Sequence, residues 1–247
     1  MQACADLVGI IPARMASTRL PGKPLLKIAG VPMIERVYAG AAQCKKMRAV
    51  VVATDSPEIE QFCRERRIPV HMTSAAHVSG TDRVWEVAEA MDAAAVVNIQ
   101  GDEPMVRADM LDALIAALFS DASVQVASLY TPVAAEEAQL PSACKVAMDE
   151  RERALYFSRA PIPFPRNGAP RYYKHLGFYA YSRSALRSFH AWAPTALEQA
   201  EGLEQLRFLF HGVGIQMAQT RWNTIGIDTR EDVAAAEQAL AAAGEGG

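Results

Sequence analysis

The chain lacks the marks of a nucleic-acid binder or a membrane protein. Lysine and arginine total 25 against 28 acidic residues, a formal charge of −3, so the basic excess that holds phosphate backbones is missing. No apolar run approaches the roughly 18 residues that span a bilayer, and residues Met1 to Ile11 have neither a basic start nor a long apolar stretch, which argues against a signal peptide. Cys4, Cys44, Cys63 and Cys144 are too scattered for a paired metal-ligand spacing and too few for a disulfide framework. Reduced thiols in a cytoplasmic protein are therefore expected. The sequence shows no internal repeat, no linker and no GxGxxG. The Gly-Lys of RLPGKPL is not a P-loop either, because Ser17 and Pro24 stand where that loop needs a Gly and a Ser or Thr.

What is present points to an α/β protein. Of 247 residues 51% are hydrophobic, enough for a large core. Strand-like runs at 7–11, 49–54, 68–72 and 94–100 alternate with helical patterns over 31–46, 57–67, 81–92 and 108–119. Near-continuous apolar strands joined by helices predict a doubly wound, mostly parallel sheet with helices on both faces. Such sheets bind ligands beyond the carboxyl ends of their strands. After about residue 120 the pattern turns β-rich, with strands expected at 123–133 and 171–182 around a proline-rich 154–170. Helices are expected again at 197–211 and 230–243.

Charged residues cluster just past the strands. IIPARMASTRLPGKPL carries Arg14, Arg19 and Lys23 with no acid among them. Pro21-Gly22 suits the centre of a type II turn, which would hold Lys23 at the strand end with the arginines as phosphate donors; a solvated basic loop is the alternative. VVNIQGDEP sets Gln100, Asp102 and Glu103 at another strand end. Phosphate chemistry needs a hard cation, and Mg²⁺ takes few carboxylates beside phosphate oxygens and water. A second acid, Asp228, stands in IGIDTRED, where Thr229 and Asp232 also read as a capping box. Glu103 stays open between third ligand, base and turn residue.

The remaining polar candidates have two readings each. In HVSGTDR, Ser79, Gly80 and Thr81 precede a helix whose apolar face is Val84, Val87 and Ala88; they either offer amides to a ligand or simply cap the helix. Strict alternation in YYKHLGFYAY puts His175, Gly177, Tyr179 and Tyr181 on one face, a polar cup with space for a sugar, and Lys174, Leu176, Phe178 and Ala180 on the other. A hydrogen-bonded structural His175 is the competing view. Arg159 has a planar fork suited to a carboxylate, or makes a surface ion pair. In LEQAEGLEQLRFLF, Leu203, Leu206, Leu209 and Phe210 read as a core stripe, with Glu204 and Arg207 as a surface pair.

Five ordered stretches, IIPARMASTRLPGKPL, VVATDS, HVSGTDR, VNIQGDEPM, and HLGFYAY with LEQLR, resemble the cytidylyltransferases that activate acidic sugars, over nearly the whole chain. The resemblance implies a nucleotide-diphospho-sugar transferase-like, Rossmann-like fold. It implies one domain over 1–247, with a β-rich sugar-binding and dimerisation portion at about 124–181. The implied activity is Mg²⁺-dependent transfer from CTP to 3-deoxy-manno-octulosonate (KDO) by a cytoplasmic homodimer with no nucleic-acid or membrane partner. Sialic acid and a sugar 1-phosphate are rival acceptors; a non-catalytic sensor on the same fold is the rival of another class. By resemblance Arg14 and Lys23 face the triphosphate, Ser79, Gly80 and Thr81 the cytidine, and Asp102 and Asp228 the metal, with Arg14, Lys23 and Asp102 catalytic. Gln100, Arg159, His175, Tyr179, Glu204 and Gln205 face the sugar. Val78 and Arg230 depart from the family's common Gln and Pro.

Overall fold

The apolar runs of the first hundred residues form parallel strands, as expected. The structure, a computed structural model, describes residues 6–16, 20–77, 79–168 and 170–244; Cys4, Arg19 and Val78 lie outside them. β1 (Leu7–Ala13) leads through a 3-10 turn at Lys23–Leu25 to a hairpin of β2 (Lys27–Ile28) and β3 (Val31–Pro32) and then α1 (Met33–Ala41). β4 (Ala49–Thr54), α2 (Pro57–Glu65), β5 (Val70–Met72), α3 (Gly80–Ala90) and β6 (Ala95–Asn98) follow. Parallel pairing gives the order β6-β1-β4-β5. Ile10, Ile11, Val52, Val96 and Val97 from these strands are fully buried, as are Ile34, Val37 and Val84 from the helices.

The winding places the site. The chain steps outward from β1 to β4 and β5, then returns to the other side of β1. Right-handed crossovers put α1 and α2 on one face and α3 on the other, and the reversal between β1 and β6 leaves a crevice at their carboxyl ends. Gly101, just after β6, is where that backbone passes close to the end of β1. A Cβ there would lie 2.5 Å from the Pro12 carbonyl oxygen.

The chain forms two compact units, one running to Asp112 and resuming at Thr224, the other Ala113–Asn223. The division falls inside α4 (Ala108–Leu118). The C-terminal helix, Arg230–Gly244, belongs to the first unit. The second contains β7 (Val126–Val133), α5 (Ala135–Ala138), β8 (Lys145–Met148), β9 (Ala154–Ser158), β10 (Tyr172–Ser182), α6 (Arg183–Ala191), α7 (Ala196–Glu201), α8 (Leu206–Phe210) and β11 (Ile215–Gln219). β7 pairs antiparallel with β10 and parallel with β11, while β8 pairs antiparallel with β10 and β9. The β-rich portion expected at 124–181 lies within this unit.

Three expectations change here. The helix expected at 197–211 breaks at Gly202. The break resets the phase, so Leu203, Leu206 and Phe208 are buried while Phe210 is 58% exposed. β10 does not alternate strictly: its register with β7 slips between Leu176 and Tyr179, and Leu176, Phe178, Tyr179, Ala180 and Tyr181 are all buried. Arg207, expected on the surface, is buried, and its guanidinium donates to the buried Glu198 through Nε to Oε2 at 2.7 Å and Nη2 to Oε1. Its guanidinium lies 4.0 Å from the centre of the Phe189 ring, so this arginine serves the interior of the α7–α8 segment.

Two stability predictions follow from close contacts. Gly101→Ala is expected to lower the unfolding free energy by about 1–3 kcal/mol, the usual cost of overpacking, as read by urea denaturation. Glu198→Ala, which strands a buried guanidinium, is expected to cost about 3–5 kcal/mol in the same measurement.

Candidate functional site at the carboxyl ends of β1 and β6

The first unit holds a cavity of about 530 Å³ at the reversal of strand order. Arg14 follows β1 directly. Gly22 has φ 71° and ψ 13°, the angles of the third position of a type II turn, and the Lys23 amide donates to Leu20 O at 3.2 Å. The expected turn thus forms and delivers Lys23 to the cavity wall. Gln100, Gly101 and Asp102 arrive from β6, Ser79 and Gly80 from the start of α3, and Asp228 from the segment before the C-terminal helix.

Lys23 is the centre of this arrangement. Its ammonium donates to Asp102 Oδ2 at 2.9 Å, Asp228 Oδ1 at 3.2 Å and the Ile227 carbonyl at 2.7 Å. The Ile227 amide in turn donates to Asp102 O at 2.9 Å, so the 227–228 backbone is fastened to the loop after β6. The capping reading of this segment holds, and the Asp228 side chain is left to face the cavity. Asp232 Oδ2 accepts from the amides of Asp228 and Thr229, and the Asp232 amide donates to Thr229 Oγ1, which is the cap. The Asp228 carboxylate itself meets Lys23.

The two aspartates can be tested against a divalent cation. They converge on one point, and that point holds a positive charge in the form of the Lys23 ammonium. Two carboxylates open to phosphate oxygens are the donor set Mg²⁺ takes from proteins. Among the described residues no group of three or more His, Cys, Asp or Glu is placed to share an ion. Glu103 is buried beside Gly226 and does not line the cavity.

Ser79 is the N-cap of α3, accepting from the Asp82 amide at 3.0 Å, and it also borders the cavity. Thr81 is buried in the first turn and does not border it. Two lining residues escaped the sequence reading. Arg83, 3% exposed, donates to Asp55 at 2.8 Å and to Thr73. The signal was there: Arg83 shares the buried stripe of Val84, Val87 and Ala88, a place where a charge needs a built partner. His77 bonds Glu86, which also accepts from the Ser74 amide. Burial would raise the Glu86 pKa, but that amide and the imidazole outweigh it and the carboxyl titrates below its ordinary range.

The other sugar candidates belong to the second unit. His175 Nε2 lies 2.9 Å from Ser128 Oγ, with its ring 4.9 Å from that of Phe157 and 5.3 Å from that of Tyr179. Burial lowers the His175 pKa to about 3 and raises that of Tyr179, so both are neutral. Arg159 uses its guanidinium on backbone carbonyls, Nε to Glu201 at 2.8 Å, Nη1 to Pro141 at 3.0 Å and Nη2 to Gly202 at 3.4 Å. Beneath it the fully buried Lys145 donates to the carbonyls of Leu140, Ala143 and Arg159. Gln205 is buried with Nε2 3.8 Å from Cys144 Sγ, and Glu204 immediately precedes it.

Comparison with known proteins identifies the family. The cytidylyltransferase family model matches residues 8–216. A 3-deoxy-manno-octulosonate cytidylyltransferase of Koribacter versatilis is 47% identical over 235 residues, 94% of this chain and 89% of that one. The Escherichia coli protein of the same name is 44% identical over 221 residues, covering 89% and 90%. A solved CMP:2-keto-3-deoxy-manno-octonic acid synthetase complexed with CTP superposes with a TM-score of 0.92 at 42% identity, covering 96% of this chain and 99% of that one. With the family model spanning most of the sequence and relatives 44–47% identical over nearly its whole length, the chain belongs to the cytidylyltransferase family.

Proposed function

We propose that the chain transfers the cytidylyl group of CTP to 3-deoxy-manno-octulosonate, giving CMP-KDO and pyrophosphate for lipopolysaccharide synthesis. The observation that carries this reading is the meeting of Lys23, Asp102 and Asp228 in the β1/β6 cavity, in a chain 42–47% identical to proteins named for that reaction. Arg14 and Lys23 face the triphosphate, and Ser79, Gly80, His77 and Arg83 border the space for the nucleoside. Asp102 and Asp228 would hold Mg²⁺, which supplies positive charge against the phosphates and the leaving pyrophosphate.

The sugar's anomeric 2-hydroxyl attacks the α-phosphorus in line. A new P–O bond forms as the bond to the bridging oxygen of pyrophosphate breaks, and the hydroxyl proton leaves to solvent. Positioning and charge neutralisation supply most of the acceleration in such transfers. Gln100, Arg159, His175, Tyr179, Glu204 and Gln205 are assigned to the sugar. The reading includes a cytoplasmic homodimer. The buried free thiols of Cys44, Cys63 and Cys144 support the compartment, and the exposed side chains of Leu155 and Phe164 support the association.

Pyrophosphate release from CTP and Mg²⁺, followed with KDO, sialic acid and a hexose 1-phosphate in parallel, tests the assignment. Release with KDO alone is expected; CTP binding without release from any of the three would make the chain a sensor. Lys23→Ala and Asp102→Asn should each lower kcat by about 10²–10³, the scale of losing one charge-stabilising group, while circular dichroism shows them folded. Rates near wild type would sink these roles. For His175→Ala the expectation is a higher KM for KDO with KM for CTP little changed.

A further inference from the structure

β10 pairs with β7 at Leu176 opposite Leu129 and resumes at Tyr179 opposite Ser128. The intervening residues bring two β10 carbonyls to the Ser128 hydroxyl, Phe178 O at 2.8 Å and Leu176 O at 3.4 Å. On its other side that hydroxyl meets His175 Nε2 at 2.9 Å. A serine hydroxyl has one proton, and a carbonyl can only accept. The shortest contact is an ordinary O–H···O distance, so the proton points to Phe178 O and the lone pairs of Oγ face the imidazole. Nε2 must then carry the hydrogen. The opposite tautomer would turn the serine proton to His175 and leave Phe178 O without it, among residues that are fully buried.

We propose that Ser128 is a positioning residue that locks His175 in its Nε2–H tautomer, presenting Nδ1 to the ligand as a pure acceptor, which takes a sugar hydroxyl and refuses a carboxylate. This rests on the assignment of His175 to the sugar and adds to it the chemistry His175 reads. Among the described residues nothing bonds to Nδ1, and the residue keeps 7% of its surface exposed. The rings of Phe157 and Tyr179 hold the imidazole against turning over. Burial keeps it neutral, so the doubly protonated form, which would offer a donor on both sides, is not populated at neutral pH. Of the two polar features of an acidic sugar, only the hydroxyls can donate to such a nitrogen.

The test is nitrogen NMR of the full chain labelled with ¹⁵N-histidine, with the His175 resonances identified by their loss in His175→Gln. Wild-type protein at neutral pH should show a protonated Nε2 and a bare Nδ1. Ser128→Ala should mix or invert that pattern and raise KM for KDO about tenfold, the size of one hydrogen bond, with KM for CTP within about twofold. Ser128→Thr, which keeps the hydroxyl, should restore both readouts. A protonated Nδ1 in the wild type overturns the proposal even where Ser128→Ala cannot be purified, and so does Ser128→Ala with tautomer and KM unchanged. Should His175→Ala leave KM for KDO unaltered, the sugar assignment fails and the ligand half of the proposal with it; the tautomer is still decided by the wild-type spectrum.

Discussion

The Lys23 ammonium joins the turn after β1 to residues 79 and 205 positions away in the chain, and the cavity at the carboxyl ends of β1 and β6 is built around it. Its three N–H groups have three acceptors, two of them carboxylates that would otherwise repel across the same gap. The side chains of Lys23, Asp102 and Asp228 keep 15%, 33% and 47% of their surface, so solvent screens the attraction and little stability is expected from it. Its effect is positional. With Ile227 bonded to Asp102 and to Lys23, the cation loop, the β6 loop and the approach to the C-terminal helix have one mutual arrangement. Two carboxylates kept close by one ammonium leave an excess of negative charge at the cavity wall.

How far the sequence reveals this depends on the range of the interaction. The parallel strands were legible because each is a short apolar run with its own helix, and the turn at Gly22 because Pro-Gly specifies it locally. Asp102 and Asp228 could be paired only through resemblance, since nothing local ties residue 102 to residue 228. The bulge in β10 was invisible to period counting, which assumes that every residue advances by one side. β8 and β11 escaped because short strands half covered by neighbours have neither a clean alternation nor a continuous apolar run. Arg83 was passed over because a charge within a helix reads as solvated until its partners, Asp55 and Thr73, are seen.

The unit Ala113–Asn223 handles its charges in a different way from the cavity of the first. Lys145, buried among the Leu140, Ala143 and Arg159 carbonyls, has its pKa lowered by desolvation, and carbonyl dipoles are what make an unpaired ammonium tolerable there. Arg207 and Glu198 neutralise each other beneath the aromatic rings of Phe189 and Phe208. These ions are spent on backbone geometry. Lys145 fixes the 140–143 segment, while Arg159, bonded to the Glu201 and Gly202 carbonyls, fixes the start of the stretch that carries Glu204 and Gln205.

On the sugar assignment proposed above, selection in this unit would rest mainly on neutral groups. His175 and Tyr179 are uncharged by burial, and Gln205 is uncharged by nature. Arg159 has committed three of its five N–H groups to carbonyls, leaving two for anything else. A planar carboxylate needs two parallel donors, so the arginine can still serve one without abandoning its structural bonds. Neutral groups discriminate hydroxyl patterns by the partner left unpaired when a donor is missing, a penalty that burial enlarges. On the same assignment, an acceptor fixed by a tautomer, as we propose for Ser128 and His175, would separate sugars by where they place a hydroxyl, while a carboxylate would fall to the two N–H groups that Arg159 still has to give.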